Sequence, residues 1–307
     1  MAQKDLAGKI LLGIDEIFCD VVNVLLLKGE CLLKEEDLED VNTHTQYHAD
    51  GQYHEMIRDV AKYWKKQNVC IAVIGVEHES KPDRMMPLRV FSYDGGAYRA
   101  QIAEKQEEKS EKEDKSKKEP KRIFPVITLV LNFNTESRWN TAKSLFEIVD
   151  VPDFLKPLIN DYKVNVIDIA FLERSEVDSF KSDFWYVADY FWQIRNNGYY
   201  SASEKEMKYA FQIMQMLSAM TGDKRFEQAY NEKQREGGGG KMCEYLDLLE
   251  SRGEKRGEKI GEQKGIDATF IVISMLNEGE TDIKKLAEKA NVSQKTVKII
   301  VNKYRKI

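Results

Sequence analysis

Three carboxylates in one short stretch are spaced for metal chemistry. Asp59 lies in IRDVAKYW, a polar break follows at Lys65-Lys66-Gln67-Asn68, and VCIAVIGVEHES ends in Glu77-His78-Glu79. The run from Val69 to Val76 is apolar, β-branched and shorter than a typical helix, which predicts a buried strand. Glu77 and Glu79 are two apart at its end, so an extended chain points both to one face. If IRDVAKYW is the preceding strand of a hairpin, Asp59 lies beside them in one register and turns away after a one-residue slip. Plainer readings stand next to this one. In a chain rich in Glu and Lys, an E-x-E at a strand end is ordinary solvated charge, and Ile57, Val60, Ala61 and Trp64 also fit the stripe of a helix.

The order of these residues resembles the Rpn family of recombination-promoting nucleases, often labelled transposases, within the PD-(D/E)xK nuclease superfamily. Asp59 is followed by Glu77-His78-Glu79-Ser80, Lys81-Pro82-Asp83 and an M-x-x-R-x-x-x-Y element formed by Met86, Arg89 and Tyr93. FPVITLVLNF, KSLFEIVDVPDFLKPLINDYKVNVIDIAF and FKSDFWYVADYF carry the similarity downstream, so that it covers roughly residues 8 to 265. The resemblance implies a mixed α+β, restriction-endonuclease-like core and a Mg²⁺- or Mn²⁺-dependent DNA endonuclease linked to recombination or mobile elements. It implies Asp59, Glu77 and Glu79 as catalytic and metal-binding residues, with Asp20 of the first helix as a further ligand or, alternatively, a capping acid. Glu79 departs from the family's Gln and from the superfamily's Lys. It is a third ligand, a water-orienting group, or the mark of a weakened nuclease that acts as a DNA-binding regulator. Arg89 would meet the scissile phosphate or close a salt bridge.

These residues need elements to hold them. Residues 5 to 27 repeat apolar side chains with helical period and predict a helix packed on a sheet. FPVITLVLNF and KVNVIDIAFL read as further strands, alternating with helical segments as a mixed α/β sheet domain requires. Met85 to Ile102 predicts a helix broken near Gly95-Gly96, and the aromatic-rich stretch from Phe180 to Thr221 predicts helices whose rings form core. His44, His48 and His54 sit in a polar stretch without an H-E-x-x-H motif or cysteine partners, so a surface role suffices for them.

Composition bounds the class. The chain has 307 residues, 42% hydrophobic and 32% charged, enough for one large domain or two modest ones. A formal net charge of -5 means that any contact with DNA must come from local basic patches. Four cysteines without C-x-x-C spacing, and no signal-like or membrane-length apolar run, predict a cytoplasmic protein with no membrane contact. We expect a nuclease core in two parts, 1–102 and 123–235 with a helical extension, separated by a charged insertion at 103–122. A Gly-rich linker and charged helix follow at 236–266, with one helix expected from Met242 to Ser251. Gly253, Gly257, Gly261 and Gly265 recur every fourth residue there, either as a homodimer contact or as a linker of marginal helicity.

The tail, 267–307, is the second informative region. Ile283, Leu286 and Ala287, a turn at Asn291-Val292-Ser293, and then Val297, Ile300 and Val301 fit a helix-turn-helix with Ser293 as a cap. From Thr281 to Ile307 eight Lys/Arg oppose two Asp/Glu, a DNA-binding footprint on an acidic protein. Gln294, Lys295, Thr296 and Lys298 fall on the exposed face of the second helix. A small interaction or dimerisation pair of helices fits the same pattern.

Overall fold

In a computed structural model the described residues are 10–41, 44–49, 52–57, 60–76, 83–110, 123–235 and 240–304. They divide into two compact units, Met1–Tyr245 and Leu246–Ile307.

The larger unit is built on a five-stranded mixed sheet. Its strands are β1 (Leu38–Asp40), β4 (Val60–Trp64), β5 (Val69–Val76), β6 (Val126–Asn132) and β7 (Asn165–Asp168), in the order β1-β4-β5-β6-β7. β1 and β5 run antiparallel to β4, whereas β6 is parallel to β5 and β7 parallel to β6. VAKYW is therefore a strand and not a helix. A stripe that fits both periods is decided by its partners, and β4 has a strand on each side.

The sheet is covered on both faces. Helix α1 (Asp15–Leu25) lies over the face that carries Lys62, whose ammonium bonds Asp15 at 2.5 Å and stands 5.9 Å from the centre of the Phe18 ring. Helix α2 (Met86–Ser110) returns the chain from β5 to β6 over the other face, where Met86 and Val90 pack with Val130, Trp139 and Val164. On that same face the buried carboxylate of Asp94 accepts bonds from Thr128 Oγ1 at 2.6 Å and from the Tyr162 hydroxyl. Lys62 is 3% exposed in mid-strand, a position where an unpaired ammonium would be costly. Asp15, and Asp40 at 2.7 Å, compensate it and raise its pKa against the opposing effect of burial.

Several local expectations are corrected. The expected helix from 5 to 27 is interrupted: residues 10–12 are helical, the chain turns at 13–14, and α1 then runs from Asp15 to Leu25, while residues 1–9 lie outside the described residues. Gly95-Gly96 does not break α2. The anchoring of Asp94 and the burial of Ala97 outweigh glycine's helix penalty of about 1 kcal/mol per residue. The helix runs to Ser110, into the expected charged insertion, whose positions 111–122 lie outside the described residues. The histidine-bearing segment forms a separate hairpin, β2 (His44–Ala49) with β3 (Gln52–Ile57), pairing Tyr47 with His54.

Beyond β7 a short helix α3 (Arg174–Val177) leads to α4 (Phe184–Asn197), α5 (Ala210–Thr221) and α6 (Arg225–Arg235). Part of the aromatic set is core, as expected: Phe184, Tyr186 and Phe191 are buried, and Phe191 meets Phe133 at 5.0 Å between ring centres, whereas Tyr199 and Phe211 are exposed.

The smaller unit contains most of α7 (Met242–Asn277) with α8 (Ile283–Ala290) and α9 (Gln294–Tyr304). The expected end of a helix at Ser251 is not observed: α7 is continuous through all four repeated glycines. Its C-terminal part is fixed by a shared core in which Ala268 and Val272 meet Leu286, Ala287, Ala290, Val297 and Val301. Such packing supplies stability that glycine-rich local propensity lacks.

Candidate functional site

The β4–β5 hairpin closes at residues 65–68 and opens at its other end. Val60 pairs with Val73, so the chain enters β4 and leaves β5 at that same open end. Asp59 precedes Val60, and Glu77 and Glu79 follow Val76, but all three lie outside the described residues. Among the described residues no group of three His, Cys, Asp or Glu side chains is disposed to hold a metal ion.

The parallel strands bring other groups to this end. Val76 pairs with Asn132, and Asn132 with Asp168, so β5, β6 and β7 finish in line. Asn132 is buried and donates from Nδ2 to Asp168 Oδ1 at 2.7 Å. The same oxygen accepts the Trp139 N–H at 2.8 Å, which folds the loop after β6 back over the strand ends. Asn134 Oδ1 tightens this loop by accepting the N–H groups of Glu136 at 2.8 Å and Ser137 at 3.0 Å. No sequence motif singles out Asn132 and Asp168 as a pair. N-F-N after an apolar strand is a visible turn signal, but only strand order shows that it ends beside β5.

Arg89 sits in the first turns of α2, the helix that follows β5. Its guanidinium donates to Asp83 Oδ2 at 3.0 Å and to the Tyr93 hydroxyl at 3.4 Å, and its side chain is 47% exposed. The M-x-x-R-x-x-x-Y spacing thus places Arg89 and Tyr93 one helical turn apart on one face. Asp83 ties the segment entering the helix to it, also accepting the Met85 N–H at 2.8 Å. The salt bridge is at the surface rather than in the core.

Asp20, in mid-α1, makes a different set of contacts. Its Oδ2 accepts from the N–H groups of Lys181 at 2.9 Å and Ser182 at 2.7 Å, and from Ser182 Oγ at 2.6 Å. It thereby clamps the entrance of α4 to α1. Asp183 is part of the same junction: burial raises its pKa, while Oδ2 accepts the Tyr209 N–H at 2.7 Å.

In the smaller unit the helix pair matches its expectation in detail. Asp282 caps α8 by accepting the Lys284 N–H at 2.8 Å, and Asn291 ends it with φ 53°, in the left-handed region. Ser293 Oγ accepts the Thr296 N–H at 3.1 Å and so caps α9. Val297 and Val301 face the core, whereas Gln294, Lys295, Thr296 and Lys298 are exposed. No helix among the described residues is long and apolar enough to cross a membrane.

No curated protein and no solved structure matches this chain. A family model described as "Putative transposase, YhgA-like" matches residues 31–198, which span β1 to β7 and all of α4 but its neighbours α5 and α6 not at all. More than half of the sequence is covered, and the chain belongs to that family.

Proposed function

We propose that this protein is a metal-dependent DNA endonuclease that hydrolyses phosphodiester bonds in recombination or mobile-element movement, acting in the cytoplasm. The observation that carries the reading is the register of the β4–β5 hairpin beside parallel β6. It brings the chain positions next to Asp59 and Glu77 to one end of the sheet. Asp59 and Glu77 would hold Mg²⁺ or Mn²⁺, with Glu79 as a third ligand or as the group that orients water. Carboxylate oxygens are hard donors and fit such an ion. When bound, it supplies charge for the phosphate transition state and acidifies the attacking water. Arg89 contributes a half-exposed guanidinium from the helix that follows β5, where it would bind a phosphate oxygen of the substrate. Asp20 is read as the clamp of α4 rather than as a ligand, since one of its oxygens already accepts three hydrogen bonds.

A second reading is supported by the capped helix pair in the smaller unit. Its exposed Gln294, Lys295, Thr296 and Lys298 suit a helix entering a DNA groove, and a nuclease fold weakened at Glu79 would then serve as a DNA-binding regulator. Cleavage of supercoiled plasmid with Mg²⁺ or Mn²⁺, beside EDTA and Asp59→Ala controls, separates the two. Cutting that requires both the ion and Asp59 supports the endonuclease. Inert wild type and variant that still bind DNA support the regulator.

A further inference from the structure

Among the described residues four arginines of the larger unit lie against aromatic rings, and their surroundings differ: Arg89 stands 6.0 Å from the Tyr93 ring centre and is paired with Asp83 at 3.0 Å. Arg174 stands 5.0 Å from the Trp192 ring centre and is neutralised by Asp178 at 2.6 Å and Asp189 at 2.5 Å. Arg138 and Arg195 share one ring, that of Phe171. Their guanidinium carbons are 5.0 and 4.0 Å from its centre, so the two charges are at most 9.0 Å apart. Both side chains are exposed, and among the described residues neither has a carboxylate within ion-pair distance. Their hydrogen bonds go to neutral groups, Arg138 Nη2 to the Phe171 carbonyl at 3.4 Å and Arg195 Nη1 to Asn196 Oδ1 at 3.3 Å.

The position of the pair matters as much as its charge. Phe171 is three residues beyond Asp168, the last residue of β7, and Arg138 precedes Trp139, whose N–H is bonded to Asp168. Arg195 reaches the same ring from the last turn of α4. The C-terminal dipole of that helix accounts for one cation at this place. It does not account for a second one brought in from another loop, against the repulsion of like charges.

We propose that Arg138 and Arg195 form a binding site for the phosphate backbone of a DNA duplex at the end of the sheet where β5, β6 and β7 finish. The inference rests on the endonuclease reading for its substrate. Stacking on Phe171 orients both guanidiniums without using their outward N–H groups, which remain to donate to phosphate oxygens. A diester backbone supplies the negative charge that the site lacks, and binding it removes the repulsion between the two arginines.

The test is the salt dependence of duplex binding by the full chain in EDTA, which is independent of any cleavage. Each phosphate that a protein neutralises adds about 0.9 to the steepness of log affinity against log salt. An Arg138→Gln/Arg195→Gln variant is expected to flatten the slope by about twice that amount, one phosphate for each arginine. An Arg138→Lys/Arg195→Lys variant is expected to keep the slope, because charge is retained, while binding more weakly because the planar fork is gone. An unchanged slope in the Gln variant overturns the proposal, and so does an equal fall in both variants, which would mean a structural effect. Should plasmid remain uncut while the slope falls as expected, the endonuclease reading fails and this backbone site stands.

Discussion

Two ionic contacts at the level of single residues join parts of the chain far apart in sequence, and they differ in burial. Lys62 is enclosed in β4 and neutralised by Asp15 and Asp40. Glu16, on α1, is more open: it accepts from Lys208 Nζ at 2.5 Å and from the Tyr209 hydroxyl at 2.9 Å, and so holds the segment before α5. The Lys208 hydrogen bond, followed in strength among the favourable effects by that from Tyr209, holds the Glu16 carboxyl below its usual pKa. A carboxyl depressed in the folded state releases its proton more readily there than in the unfolded chain. Its contribution is complete above the ordinary value of 4.5 and is lost as pH falls through the lower folded value. Exposure of both partners limits it to a few tenths of a kcal/mol. Glu16→Gln should therefore destabilise slightly at neutral pH and be equal to the wild type in strong acid, as measured by urea unfolding at both ends of that range.

At the level of elements, α7 carries the most unusual local sequence. A Cβ added at Gly261 or Gly265 would meet nothing within 4 Å, and neither residue has a positive φ. Glycine at these helical positions therefore costs stability without any steric need in the single chain. Gly261→Ala and Gly265→Ala should each stabilise the helix by about 1 kcal/mol, raising the midpoint of thermal unfolding followed by circular dichroism. If alanine instead lowers the midpoint, and does so in a concentration-dependent manner, the glycine face is packed against a second copy. The β4–β5 hairpin makes the opposite point about local sequence. Its tight turn includes Asn68 at φ 54°, a conformation that asparagine tolerates better than most residues, and the turn fixes the register that the candidate site depends on.

The whole molecule separates its charge. A net charge of -5 offers no general attraction to DNA, yet the tail from Thr281 carries an excess of six positive charges over a packed helix pair. Binding to DNA should therefore fall steeply with salt despite the acidic composition. Lys295→Ala/Lys298→Ala is expected to weaken binding to all duplexes by a similar factor and to flatten the salt slope by about 1.8, one phosphate for each lysine. Binding measured across a salt series with two unrelated duplexes tests this. A weakening confined to one sequence would mean that these lysines read bases rather than phosphates.

The sequence by itself determined β5, β6 and β7, the paired helices of the tail and the family. β5 is a β-branched apolar run of eight residues between a polar turn and charged residues, and the caps at Asp282 and Ser293 are local chemistry acting over two or three residues. What it left open was every question settled between distant segments. VAKYW fits both periods, and its strand conformation comes from β1 and β5 on either side. Gly95-Gly96 and the glycines of α7 argue against helix by propensity, and packing of Asp94, Ala97, Ala268 and Val272 overrides them. Asp20 is an acid in an apolar helix until Lys181 and Ser182 arrive from more than 160 positions away to bond it. The alignment of Asn132 and Asp168 beside the end of β5, and the meeting of Arg138 and Arg195 on Phe171, likewise have no trace in local pattern. Backbone period and capping are short-range and can be read along the chain, whereas charge compensation and strand order arise only when segments remote in sequence share one space.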